Sequence, residues 1–514
     1  MVLRSDTSPF TPEFDTLVHK QLEKWKVPGL TIAIVHGPRA YSKAYGIAEF
    51  PAKKMTTGSL FSTCSTTKAF TAAAVSLAID DSNISWDTPI STLIPDDFVL
   101  ANEHATTSTT LEDALSHRSG LPGHESAMAM ANPRETLRDE VRKLRSLPLA
   151  TSPRSTWAYC NHMYMAVSHA LVTLTHQPLG TTLKHRIWGP LDMHHTYFSI
   201  AEAKQSPDAR SLVRGYTFVP DLNTYIPEPH MNYAPTTGAG SIVSTVLDYA
   251  KWIRSWIHCS GPLSSTAYAS LLTPRSIITN DEGLVVPDAP YHLYALGWFV
   301  DQIRGEQLYW HSGSWPGFGI MVGFVPGREW GFAMMGNAVD AREVEKEIYL
   351  YLIGRLQSQS QSGGNGCDGL REDRTAGKKE PGKRTGTGTG AESVEEAKKR
   401  VFPSLPDPLL PHVLPLHLYA GTYRNEGYGS FGLVAEKGRL GADLTDRAIR
   451  QKLEFEHASG EFFVCLAYVP AQGKGLGQKF QAEFYVDVNG TARRVGVDFE
   501  PALGGEKIWF ERVG

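Results

Sequence analysis

The chain has 514 residues, 41% of them hydrophobic and 20% charged, and its 50 Lys and Arg against 54 Asp and Glu leave a formal net charge of −4. Such a balance leaves no basic footprint for nucleic acid or an anionic membrane surface, and no apolar run is long enough to span a bilayer. The N-terminus, Met1-Val2-Leu3-Arg4-Ser5-Asp6, has no apolar signal-peptide segment, and the five cysteines (Cys64, Cys160, Cys259, Cys367, Cys465) lack C-x-x-C spacing, so free thiols and a cytoplasmic setting are expected.

In chain order, the pattern predicts a helix from about Pro12 to Lys24, a strand over Leu30–Val35 and a hairpin partner over Tyr41–Ala48. Leu60-Phe61-Ser62-Thr63-Cys64 then reads as an extended lead-in and tight turn. It delivers Ser65-Thr66-Thr67-Lys68, the only Ser-x-x-Lys of the chain. The small apolar run Ala69–Ile79 that follows predicts a helix buried all round. Lys68 lies one helical turn after Ser65 and on the same face. A serine hydroxyl needs a base, and lysine serves as one only when burial lowers its pKa by roughly 3 units. The plain alternative is a helix N-cap serine with a solvated lysine.

Two later motifs weigh against that alternative. Tyr159-Cys160-Asn161 offers a phenol to shuttle protons and an amide to grip a carbonyl and orient the lysine. His311-Ser312-Gly313-Ser314 follows a predicted strand, Glu306–Trp310, and its glycine lets a substrate backbone lie along a strand edge. The order Ser-x-x-Lys, Tyr-x-Asn, His-x-Gly resembles the serine β-lactamase and penicillin-binding-protein superfamily, and within it the class C β-lactamase-related, peptidase S12-like branch. The segments Thr110–Pro122, Gly238–Asp248 and Gly331–Asn337 share the resemblance, which covers roughly residues 15 to 355.

The resemblance implies an α+β fold: an antiparallel sheet flanked by helices, a mainly helical subdomain between Ser65 and the third motif, and a closing helix near Arg342–Leu356. It implies Ser65 as the acylated nucleophile, with Lys68 and Tyr159 sharing proton transfers. Asn161, His311, Gly313 and Ser314 would bind substrate, with the N–H groups of Ser65 and Ser314 as oxyanion donors. No metal or organic cofactor is implied. The substrate expected is a small ester, amide or short, possibly D-amino-acid, peptide. Acyl transfer from the same acyl-Ser65 is the alternative, and a catalytically dead scaffold a third reading. His311 stands where β-lactamases usually carry lysine, and a mostly neutral histidine holds carboxylates less firmly, so weak β-lactamase activity is expected.

Residues 1–356 are thus read as the hydrolase domain. From Gln357 to about Gly390 the chain is Gln/Ser-, Gly- and Thr-rich, and 357–404 is read as a flexible linker. Residues 405–514 resemble a small lipocalin-like β-barrel, with alternating strands at Leu418–Tyr423, Phe462–Leu466 and Phe480–Val486. Four features are set aside. Gly427-Tyr428-Gly429-Ser430-Phe431-Gly432 matches G-x-G-x-x-G but leads into strand-like residues. Tyr423-Arg424-Asn425 is a second Tyr-x-Asn, read as a strand end and turn. His194-His195 lacks a third ligand at metal spacing. His124-Glu125, after the Ser119–Gly123 loop, is read as a surface pair, with a place lining the cleft as the alternative. Cys64 and Cys160 adjoin the site as buried fillers that thiol reagents would crowd.

Overall fold

The computed structural model describes residues 8–231, 233–279, 289, 291–303, 305–357 and 392–513. A nine-stranded antiparallel sheet organises the first domain. Its order, by strand, is Lys53–Lys54, Arg39–Glu49, Gly29–His36, Trp330–Gly336, Phe318–Val325, Glu306–Trp315, Phe299–Ile303, His292–Tyr294 and Ser276–Ile278. The inner strand Gly29–His36, third in that order, is buried along nearly its whole length because helices cover both faces. Ile32 and Ile34 face the core shared with the helices Pro12–Lys24 and Ala341–Gln357. Ala33 and Val35 face the opposite core, which holds the helices Thr67–Asp81 and Val246–His258. Alternate side chains on a pleated strand thereby serve two cores.

The helix Thr67–Asp81 is buried at every position from Thr67 to Ala78, as its small-residue composition requires. The mainly helical subdomain lies between this helix and the third motif in sequence, and includes the helices Leu111–Leu115, Glu125–Met130, Leu137–Lys143 and Asn161–Thr175. The strand expected over Glu306–Trp310 continues to Trp315, so the third motif lies within a strand and not after one. Beyond Trp310 it outruns its neighbour: pairing with Phe299–Ile303 ends at Phe299 opposite Trp310, whereas pairing with Phe318–Val325 continues to Trp315. One edge of His311–Trp315 is therefore released from that neighbour.

The C-terminal residues form a closed barrel of eight antiparallel strands in chain order, from Gly421–Asn425 to Ile508–Arg512. Closure removes exposed sheet edges. Tyr423, Phe431, Leu453, Phe455, Phe463 and Phe484 are buried in its packed core. The expected linker falls largely on 358–391, outside the described residues. Within its last part, Val394–Val401 is a helix with a Ser393/Glu396 capping box. It lies against the barrel, with Gln481 Nε2 donating to the Val401 carbonyl at 3.4 Å and Arg400 to that of Lys479 at 3.2 Å. Residues 394–401 are thus folded, because an amphipathic capped helix found a surface that composition did not reveal. Among the described residues no helix is long and apolar enough to cross a membrane.

The barrel bonds the first domain at two separate places. At one, Ile449 and Ala448 donate their N–H groups to the carbonyls of Ala129 and Ala131, both at 3.0 Å. At the other, Gln472 Nε2 bonds the buried Glu228 carboxylate of the hairpin formed by Tyr216–Val219 and Thr224–Pro227. That hairpin meets the turn after the third motif, where a β-carbon on Gly215 would lie 2.7 Å from the Gly317 carbonyl oxygen.

Candidate active site

Ser65 lies in a single 3₁₀ turn, Cys64–Thr66, that leads into the buried helix. Cys64, just before it, takes a left-handed backbone (φ 51°), which costs energy for a residue with a β-carbon and makes the turn abrupt. The turn packs on the third motif: a β-carbon on Gly313 would fall 2.6 Å from Thr63 O, 3.0 Å from Cys64 Cβ and 3.1 Å from Ser65 N. Only glycine lets the strand approach so closely. On the next turn of the helix, a β-carbon on Gly297 would lie 2.9 Å from Ala69 N and Ala69 Cα.

Lys68 is fully buried and makes three contacts through Nζ: Ser65 Oγ at 3.1 Å, Asn161 Oδ1 at 2.6 Å and the Ala239 carbonyl at 2.9 Å. Burial pushes its pKa down to about 7, against the opposing charge of Glu125. A neutral amine has two N–H groups and one lone pair. Asn161 Oδ1 and Ala239 O can only accept, so they take both N–H groups, and the lone pair is left for Ser65.

Tyr159 lies in the loop before the helix Asn161–Thr175, with Cys160 as N-cap and Asn161 as first residue. The loop is tied to the segment around His117: Ala158 N donates to His117 O at 2.8 Å, and Cys160 N to His117 Nδ1 at 3.0 Å. His117, left-handed (φ 59°) and fully buried, lies under the Tyr159 ring with centroids 4.3 Å apart. Asp113 secures both segments by accepting from Arg118 Nε at 2.7 Å and Arg154 at 2.7 Å. Burial holds the Tyr159 phenol well above its usual pKa, with a hydrogen bond from Ser65 opposing. The Lys68 ammonium position is 4.7 Å from the centre of the same ring.

The sequence-predicted residues therefore converge, but with different surroundings. Ser65, Lys68, Tyr159 and Asn161 form one contact network, with Gly313 against the Ser65 turn and Ser314 exposed beside it. His311 is 1% exposed, and both ring nitrogens are engaged: Nδ1 donates to Ser312 O at 2.6 Å, and Nε2 accepts from Tyr294 Oη at 3.0 Å. Burial brings its pKa to about 3, so it is a neutral ring behind the strand edge. Asn161 Nδ2 donates to Glu125 Oε1 at 2.9 Å.

For His124-Glu125 that bond favours the alternative of a place beside the site over the preferred surface role. Glu125 is exposed but reaches Asn161, and His124 is fully buried beneath the barrel. The signal available in the sequence was position only, directly after the Ser119–Gly123 loop. Cys64 and Cys160 are buried, and burial raises both thiols, Cys160 to about 12. Neither is a thiolate, and neither side chain lies open to a reagent. His195, of the histidine pair set aside, bonds Asp208 at 2.6 Å.

A serine beside a desolvated lysine, in a turn that leads into a buried helix, is the geometry against which known proteins were compared. The family model described as Beta-lactamase matches residues 14–354, and a domain of unknown function, DUF3471, matches residues 406–512. The chain belongs to the Beta-lactamase family and is a hydrolase. Unguisins hydrolase ungD of Aspergillus violaceofuscus is 34% identical across 99% of this chain and 92% of its own length. Unguisins hydrolase ungD' of Aspergillus campestris is 32% identical across 100% and 94%. Among solved structures, an octameric penicillin-binding protein homologue from Pyrococcus abyssi shares the fold (TM-score 0.58, 20% identity, 97% of this chain and 99% of that one). The D-amino acid amidase of Ochrobactrum anthropi SV3 does so over 68% of this chain and 99% of its own (TM-score 0.56, 21% identity).

Proposed function

We propose that this chain hydrolyses an amide bond in a small peptide substrate, with D-amino-acid peptides as the first class to test, through an acyl-Ser65 intermediate. The observation that carries the reading is the Lys68 amine, 3.1 Å from Ser65 Oγ with two pure acceptors on its other sides. Neutral Lys68 takes the Ser65 proton as Oγ attacks the substrate carbonyl carbon. The oxyanion forms against the N–H groups of Ser65 and Ser314, an arrangement typically contributing about 3 kcal/mol per donor. Tyr159, kept as a neutral phenol, gives its proton to the leaving nitrogen and recovers one from Lys68. The pair then takes a proton from the water that attacks the acyl-ester and returns it to Ser65 Oγ as the acid leaves, restoring the serine. The two behave as one coupled proton store.

Substrate class is supported by the relatives named for unguisins hydrolysis and D-amino acid amidase activity. His311 supplies no cation, so substrate carboxylates gain nothing from it, and β-lactams are expected to be poor substrates. A cytoplasmic setting belongs to the same proposal, supported by the free thiols of Cys64, Cys160, Cys259 and Cys465. The test is intact-protein mass spectrometry with D-amino-acid amides, p-nitrophenyl esters and nitrocefin, on wild type and Ser65→Ala. An adduct absent from the variant, with amide turnover far above nitrocefin turnover, is expected. Nitrocefin turned over as fast as the best amide or ester would overturn the substrate reading. Adduct decay only when an alcohol or amine is added would convert hydrolase to acyltransferase.

A further inference from the structure

We propose that the C-terminal barrel positions the catalytic lysine: Tyr428 and Glu500 hold His124, and His124 sets the Glu125 carboxylate on the Asn161 amide that grips Lys68. The inference rests on the Lys68–Ser65 reading above and extends it to residues of a second domain.

His124 has all its polar groups engaged. Its N–H donates to Glu500 Oε2 at 2.6 Å. Its Nε2 lies 2.9 Å from the Pro148 carbonyl, which only accepts, so Nε2 carries the proton. Nδ1 is then the acceptor, and the Tyr428 hydroxyl donates to it at 2.7 Å. The residue is 0% exposed and left-handed, at φ 46° and ψ 42°. A residue with a β-carbon stays in that conformation only where its surroundings fix it. Two of the three partners fixing it come from the barrel.

Glu125 is the next residue and the first of the helix Glu125–Met130. The barrel grips the far end of that helix as well, through the bonds from Ala448 and Ile449 to Ala131 and Ala129. Clamped at both ends, the helix holds Glu125 where its Oε1 meets Asn161 Nδ2 at 2.9 Å. Asn161 cannot then turn its amide, because its Oδ1 must face Lys68, at 2.6 Å. The path from Tyr428 to Ser65 is thus a series of adjoining bonded residues. On the barrel side Asn425 accepts from the N–H groups of Gly427 and Tyr428, at 2.8 and 3.0 Å, and fixes the turn that presents the tyrosine.

Lys68 faces Glu125 and, from the second motif, Cys160 and the Tyr159 ring. Its own turn contributes Cys64, the helix Asn161–Thr175 the Tyr164 ring, and His117 and His311 lie close by. Burial keeps both histidines neutral and both thiols protonated, which leaves Glu125 as the charged partner in this set. Its position therefore tunes how readily Lys68 gives up its proton, and the barrel determines that position.

The experiment is the pH dependence of Ser65 labelling by a small fluorophosphonate, on the full chain. Wild type should show a rate that rises as Lys68 loses its proton. In Glu125→Gln the midpoint should fall by roughly half a pH unit or more, since the ammonium form loses an anion. Tyr428→Phe and Glu500→Gln should each move it the same way by less, and neither should move it further in the Glu125→Gln background. A barrel that merely stabilised the fold would reduce labelled protein without moving the midpoint. Midpoints of Tyr428→Phe and Glu500→Gln equal to wild type overturn the inference, as do shifts that add fully to that of Glu125→Gln. If one of these variants does not fold, the other carries the test. Wild type that fails to label at any pH overturns the serine hydrolase reading itself, a separate outcome.

Discussion

The chain contains the pattern Tyr-x-Asn in both domains, and the two copies do opposite things. In Tyr159-Cys160-Asn161 the amide divides its bonds between Lys68 and Glu125, and the phenol lies over the lysine. In Tyr423-Arg424-Asn425 the phenol is buried in the barrel and donates to Tyr419 O at 2.9 Å. The amide there donates to Trp509 O at 2.9 Å and accepts from two backbone N–H groups of a turn. The side chains are identical, so the difference lies in what they face. The first copy bonds side chains that can ionise, and the phenol and amide of the second make their hydrogen bonds to backbone alone among the described residues. Under the proposed mechanism the former serves chemistry, and the latter serves stability.

The comparison can be broken most sharply at its centre. Ser65→Ala and Lys68→Met are each expected to lower turnover by about 10⁴-fold or more, as removal of a nucleophile or its base does elsewhere. Lys68→Met should not lower the melting temperature, because a buried amine is replaced by an apolar chain of similar length. Residual turnover within a factor of ten of wild type in either variant would remove that residue from the mechanism.

The paired asparagines come next. Asn161→Ala should cost about 10²-fold in kcat with little change in Tm. Asn425→Ala should lower stability by roughly 1–2 kcal/mol, a few degrees in Tm, through the loss of turn and strand bonds. It should reduce turnover much less. Equal effects of the two variants on both readouts would erase the distinction drawn here.

A smaller effect concerns pH. Lys68 has a folded pKa of about 7, below the ordinary lysine value, so the folded state binds fewer protons than the unfolded chain above pH 7. Its burial therefore destabilises most at and below pH 7, and the penalty fades as pH rises toward the unfolded value. Activity should rise over the same interval, with a midpoint near 7. The Tm difference between Lys68→Met and wild type should shrink from pH 6 to pH 9. A constant difference would mean the lysine titrates normally.

The smallest contrast is between two glycines. Gly313→Ala must push apart the strand and the Ser65 turn, with a β-carbon 2.6 Å from Thr63 O, and should reduce kcat by roughly tenfold or more. Gly432→Ala, in a barrel strand with open space around the added carbon, should leave both kcat and Tm near wild type. Kinetic indifference at Gly313 would show that the strand edge does not shape the site.

Much of this was legible from local patterns, because the features concerned are local. The run Ala69–Ile79 has no polar face, so it forms a helix with nothing to show to water, and Lys68 at its head is desolvated as a consequence. Pro12–Lys24 carries its own N-cap and proline, and its boundaries match expectation for that reason. The helix Val394–Val401 was not legible as a folded element, since the partners that hold it lie on a barrel strand some 80 residues away, as in the bond from Gln481 to Val401. His124-Glu125 escaped for the same reason. Its partners, Tyr428 and Glu500, are more than 300 residues distant.

What the sequence by itself determined is the set of chemical groups and most of the elements that carry them: a serine and lysine one turn apart, a phenol and amide close together, a glycine just past a predicted strand. Each follows from residue type and spacing of a few positions. The tertiary structure decided which of those groups ionise and which merely pack. His311 and Lys68 are both buried and both able to hold a proton, yet burial and the nearby Lys68 keep His311 neutral against the opposing bond to Ser312 O, while Lys68 sits near its midpoint. Protonation depends on desolvation and on charges brought together by folding, and those distances are not encoded in the spacing along the chain.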